Sequence, residues 1–98
     1  MRIIYHPEAE EELIEAAQFY ARRVPGLGAD FLATVDVAVA LILEAPERWR
    51  PVKRDVRRYL LLRFPFAIIY RVESDHLRIL AVKHHSRRPD YWLKRLED

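Results

Sequence analysis

The residues best suited to chemistry stand together in one stretch, Lys83-His84-His85-Ser86-Arg87-Arg88-Pro89-Asp90-Tyr91-Trp92. Histidine titrates near neutrality, so His84 or His85 can accept or donate a proton. The guanidinium groups of Arg87 and Arg88 stabilise negative charge, and Tyr91 and Trp92 offer aromatic faces with a polar tip. Three runs rich in branched and aromatic residues, 57–64, 66–72 and 77–85, lead directly into this stretch and read as strands. Arg58, Arg63 and Arg71 lie within them, and Lys53 precedes them. A sheet that ends in such a cluster is a candidate site.

Other chemistries find no residues to carry them. Adjacent histidines on a strand point to opposite faces and do not readily share one ion, and there is no cysteine and no His-x-x-x-His pair, so no metal is expected. Both glycines sit at one helix turn, which excludes a glycine-rich phosphate loop. No serine occupies a nucleophile elbow. No cofactor is expected.

Charge is unevenly distributed although the net value is only +2. Residues 1–46 hold 3 basic and 8 acidic side chains, and residues 47–98 hold 14 basic and 7 acidic ones. A chain polarised in this way can turn an electropositive face towards a polyanion or an acidic protein. At 98 residues with 51% hydrophobic content there is material for one domain spanning 1–98 with one core. Without cysteine, stability must come from packing, which fits a reducing compartment; with neither a secretory leader nor a membrane-length apolar run visible, a cytoplasmic protein without membrane contact is expected.

The elements that must position the cluster follow in order. Residues 2–5 form a short β-prone run. Pro7 suits a first helical position, and Glu8, Glu10, Glu11 and Glu12 favour the positive end of a helix dipole. Ala9, Leu13, Ala16, Ala17 and Tyr20 recur at spacings of three and four and give an apolar stripe opposite an acidic face. Residues 24–28 stop that helix, with both glycines expected to serve a tight reversal. A second helix presents Phe31, Leu32, Val35, Ala38, Val39, Ile42 and Leu43, and ends at Ala45-Pro46. The short link makes an antiparallel hairpin. Residues 47–55 read as a loop or short edge strand because of Pro51. The expected fold is α+β: an N-terminal strand, then a helical hairpin packed on an antiparallel-dominated sheet of about four strands. A short closing helix from residue 89 or 90 to 96 covers part of the other face.

The order strand, helical hairpin, meander, with Phe66-Ala67-Ile68-Ile69-Tyr70-Arg71-Val72 and Leu80-Ala81-Val82-Lys83-His84 followed by Arg88-Pro89-Asp90-Tyr91-Trp92, resembles the RelE/ParE superfamily of toxins. These belong to bacterial type II toxin–antitoxin modules, and His6-Pro7-Glu8-Ala9-Glu10 fits their usual opening. The resemblance implies a growth-inhibiting protein neutralised by a cognate antitoxin whose flexible arm wraps it, in a toxin–antitoxin hetero-oligomer. It leaves two targets. RelE-like members cut messenger RNA on the ribosome; ParE-like members bind DNA gyrase and have no nuclease chemistry.

For a RelE-like ribonuclease, a metal-independent enzyme, the cast would be His84 for proton transfer, Arg71 and Arg88 for phosphate charge, and Tyr91 for stacking or proton transfer. Lys53, Arg58, Arg63, His85, Arg87 and Trp92 would contact target or antitoxin in either reading. The positions where RelE-like nucleases carry basic side chains on these strands are held here by Arg58, Leu60 and Ala67, and two of those are not basic. The long helices also match ParE-like members. A ParE-like inhibitor of gyrase is therefore the expected function, with the RelE-like ribonuclease as the alternative. The antitoxin's arm is expected to bring acidic and apolar residues to the surface of residues 57–92.

Overall fold

The computed structural model describes residues 1–98. Its elements run β1 (Arg2–Tyr5), α1 (Pro7–Arg23), α2 (Leu27–Glu44), β2 (Pro51–Lys53), β3 (Val56–Leu60), β4 (Phe66–Val72), β5 (His76–His84) and a closing 3-10 turn (Leu93–Glu97). The strands make one sheet in the order β1-β5-β4-β3-β2. β1 runs parallel to β5 and every other pairing is antiparallel.

The α+β architecture agrees with the sequence, with three corrections. The sheet has five strands because the chain around Pro51 forms an edge strand, where a missing backbone N–H leaves no ladder bond unmade. The third strand stops at Leu60 rather than running to Phe64. Leu61 donates its N–H to the Phe66 carbonyl at 2.9 Å, which closes the β3–β4 loop and turns Leu61 and Phe64 into the core while Leu62 is left in solvent. The closing helix is a 3-10 turn that begins later, at Leu93. Three residues per turn align Trp92, Arg95 and Asp98 on one side, and the first two are buried.

α1 begins as the sequence implies, with Pro7 at its first position, and His6 supplies the cap: its Nδ1 accepts the Glu8 N–H at 3.1 Å. The two glycines divide their work. Gly26, at φ 85°, makes the reversal. Gly28 lies inside α2 where that helix crosses α1, and a Cβ there would overlap the Ala17 carbonyl oxygen and stand 2.9 Å from the Ala21 Cβ.

The hairpin covers one face of the sheet. Phe31, Val35, Val39 and Ile42 of α2 and Ala9, Ala16 and Ala17 of α1 pack on Phe66, Ile68, Tyr70, Leu77, Ile79 and Val82. Each fully buried aliphatic or aromatic side chain contributes about 1.5–3 kcal/mol. Tyr70 is buried with its hydroxyl donating to the Pro46 carbonyl at 2.6 Å, which ties the end of the hairpin to the sheet. On the other face Val56, Ala67, Ile69, Leu80 and Ala81 pack against Trp92, with Tyr91, Leu93 and Leu96 beside it. β4 and β5 are therefore covered on both sides.

Replacing Gly28 by alanine is expected to cost about 1–3 kcal/mol through overpacking of the hairpin. Urea unfolding would show a lower midpoint at unchanged slope; an unchanged midpoint would contradict the close helix crossing.

Candidate functional site

The register of β5 changes within the strand: Ile69 faces Ala81 while Tyr70 faces Ile79, so Leu80 is an extra residue opposite the β4 backbone. This bulge lets Leu80 and Ala81, neighbours in sequence, both pack on the outer face. It also leaves polar backbone groups without a strand partner. β1 pairs with β5 only as far as Ile79, whose carbonyl takes the His6 N–H at 2.8 Å.

A buried ion pair meets those needs. The Glu12 carboxylate accepts the Val82 N–H at 3.0 Å, two bonds from the Arg95 guanidinium at 3.0 and 3.1 Å, and the Tyr91 hydroxyl at 2.7 Å. Arg95 Nη1 donates to the Leu80 carbonyl at 2.9 Å. Burial works against the Arg95 charge, but the bonds and charge of Glu12 outweigh it, and the guanidinium is held above its ordinary value. Tyr91 lies between two cations, with Arg87 at 4.0 Å and Arg95 at 4.9 Å from its ring centre. Burial first, then the bond to Glu12 and the Glu12 charge, push its phenol well above 10.0.

The sequence-predicted residues separate into groups. His84 ends β5 on the hairpin side, edge-on to Phe66, and its Nδ1 accepts the Ser86 N–H at 3.0 Å. His85 lies past the strand beside Arg58, Leu60 and Lys83 on the outer side. Arg71 pairs with Glu73 at 2.6 Å, opposite Arg78, while His84 sits opposite Phe66 at the other end of the same ladder. Arg88 is exposed; its carbonyl accepts the Tyr91 N–H. Lys53 pairs with Asp90 at 2.9 Å, and Arg63 pairs with Asp30 of α2 at 3.3 Å.

Two expectations need correction. His84, Arg71, Arg88 and Tyr91 do not converge as a catalytic set, because Arg71 stands five ladder positions from the His84 end and the Tyr91 hydroxyl is committed to Glu12. Trp92, expected at a contact surface, is 1% exposed and fills the outer core.

Sequence reasoning missed Glu12 and Arg95. Glu12 reads as one of the acids at the start of α1, yet it is three residues from Ala9 and four from Ala16, on the stripe those alanines define. An acid at that spacing signals a buried cation to match it. His6, Glu8 and Asp98 could together hold a metal ion, their ligand atoms lying within 4.8 Å of one another. Two of the three are already engaged: with Nδ1 accepting the Glu8 N–H, His6 Nε2 carries the proton and donates to Asp98 at 2.6 Å, while the Glu8 carboxylate has an ion contact with Arg95 Nε at 3.6 Å. No helix is long and apolar enough to cross a membrane.

The helical hairpin on a five-stranded sheet sets the fold, and similarity to known proteins gives the class, that of toxins of type II toxin–antitoxin systems. Residues 3–89 match the profile described as "ParE toxin of type II toxin-antitoxin system, parDE", and the chain belongs to this ParE toxin family. Toxin ParE2 of Mycobacterium tuberculosis, from strains CDC 1551 / Oshkosh and ATCC 25618 / H37Rv, is 29% identical over 90 residues, covering 91% of this chain and 86% of that protein. A solved chain of the "Chromosomal ParDE TA system from P. aeruginosa" superposes with a TM-score of 0.75 over 86% of this chain and 95% of its own, at 20% identity, which speaks for the fold.

Tyr91 gives a pH prediction. Because its folded pKa is raised, its contribution is fully present below the unfolded value near 10.0 and is lost as pH rises beyond it. Tyr91→Phe should be less stable than the parent by about 1–2 kcal/mol at neutral pH, and the gap should narrow above pH 10. Urea unfolding at intervals through that range reads it, and a constant gap would contradict the buried phenol.

Proposed function

We propose that this protein inhibits DNA gyrase and is neutralised by a cognate antitoxin that covers its basic half. The match to the ParE family over residues 3–89 carries this reading. Two features of the site support it over the ribonuclease. The candidate proton-transfer and phosphate-binding groups are dispersed, with Arg71 in an ion pair and Tyr91 locked on Glu12. The strand positions that would carry RNA-binding cations in a RelE-like enzyme include Leu60 and Ala67. Inhibition by binding needs surface, not a proton relay. The antitoxin partner is suggested by the solved chain of similar fold, which comes from a ParDE toxin–antitoxin system.

The test sets two assays side by side with antitoxin-free protein. DNA supercoiling by gyrase should be blocked in proportion to added protein, and coupled translation should leave the message uncut by primer extension. Ribosome-dependent cuts with intact supercoiling would overturn the proposal in favour of the RelE-like mode.

A further inference from the structure

α2 is apolar on two sides. Phe31, Val35 and Ile42 pack on the sheet, while Asp30, Ala33, Val37, Leu41 and Glu44, again at spacings of three and four, form a second stripe turned away from it. A helix that is apolar nearly all round is normally buried all round. Here a groove of about 380 Å³ opens between the second stripe and the β3–β4 loop, lined by Ala33, Val37, Leu41, Tyr59, Leu61 and Leu62. Val37 is 61% exposed, and Leu62 is 97% exposed at the groove's rim. Single apolar residues on a surface need no explanation, but a groove with apolar side chains projecting beside it marks an interaction site.

Charge selects the occupant. The outer face of the sheet carries Arg58 and Lys83, and the exposed side of α1 carries Glu8, Glu11 and Glu15, so a second copy laid against its own kind at either place would bring like charges together. The groove differs, because its only charged residues, Asp30 and Arg63, are paired at 3.3 Å. Glu44, at the far end of the stripe, is exposed and has no cation within 4.0 Å. We propose that the groove receives a second copy of this chain, with the two α2 helices antiparallel about Val37 and each Leu62 seated in the other copy's groove. Asp30 and Glu44 each lie seven residues from Val37, about 10 Å along the helix axis. An antiparallel pair centred there sets the Asp30–Arg63 pair of each copy beside the other copy's Glu44, and Arg63 then serves one carboxylate from each chain. One patch thus supplies both knob and hollow, as a two-fold interface requires. An antitoxin segment is the weaker candidate, since acidic residues from it would find no unpaired cation in the groove.

Sedimentation equilibrium of the antitoxin-free protein reads the pairing directly. The dimer fraction should rise reversibly with concentration. Val37→Lys, at an exposed position, should weaken association by roughly tenfold or more while leaving the urea midpoint of the diluted protein unchanged. Leu62→Ser should act in the same direction. Glu44→Arg should also weaken association, and adding Arg63→Glu should recover part of the loss, because the contact between copies is then restored with its signs exchanged. A monomer at every concentration overturns the proposal, and so does a dimer indifferent to Val37→Lys. A dimer weakened by Val37→Lys but untouched by Glu44→Arg overturns the antiparallel arrangement. If the protein alone is a monomer, and the methyl signals of Val37 and Leu62 move only when the cognate antitoxin is added, the groove belongs to that partner instead.

Discussion

The pairing of Glu12 with Arg95 is the interaction on which the rest of this structure depends. It joins α1, the bulged edge of β5 and the C-terminal turn at one point, and it satisfies backbone groups that the short β1 strand does not reach. Removing two ions from water is costly, and such a pair adds little net stability compared with an apolar substitute. Its value lies in geometry. The carboxylate has four donors and the guanidinium reaches a carbonyl that only the bulge exposes, so the C-terminal segment has one seat on the sheet.

That seat decides what the outer face presents. With Trp92 and Leu96 anchored over Ile69 and Leu80, the remaining surface is the strip carrying Arg58, Leu60 and Lys83. Groups that look reactive in the sequence are used by the fold instead: Tyr91 and Arg87 shield the ion pair, Arg71 pairs with Glu73, and His84 closes the strand end. This distribution supports the binding mode proposed above over a proton relay.

Much of the architecture was legible in the sequence because periodicity reports burial. The stripes of α1 and α2, Pro7 at the helix start and the double-sided apolar run of β4 all follow from spacing alone. That the adjacent histidines fall on opposite sides of the sheet was also legible. The rest depends on contacts distant in sequence. Glu12 meets Arg95 across 83 positions, and nothing local distinguishes it from the other acids of the first turns except its place on the alanine stripe. The bulge at Leu80 leaves no mark in a run of branched residues, and Gly28 resembles a turn residue until the second helix is packed against the first.

A double-mutant cycle on the ion pair tests the central claim most directly. Glu12→Gln, Arg95→Met and the double variant would be compared with the parent by urea unfolding. If the two side chains act as one joint, each single change is strongly destabilising, by about 3–5 kcal/mol, because it strands the other charge. The double variant should then lose less than the sum of the two, by a coupling of about 1–3 kcal/mol. Additive losses would contradict the account, since they would mean that the C-terminal turn holds its place on the sheet without this pair.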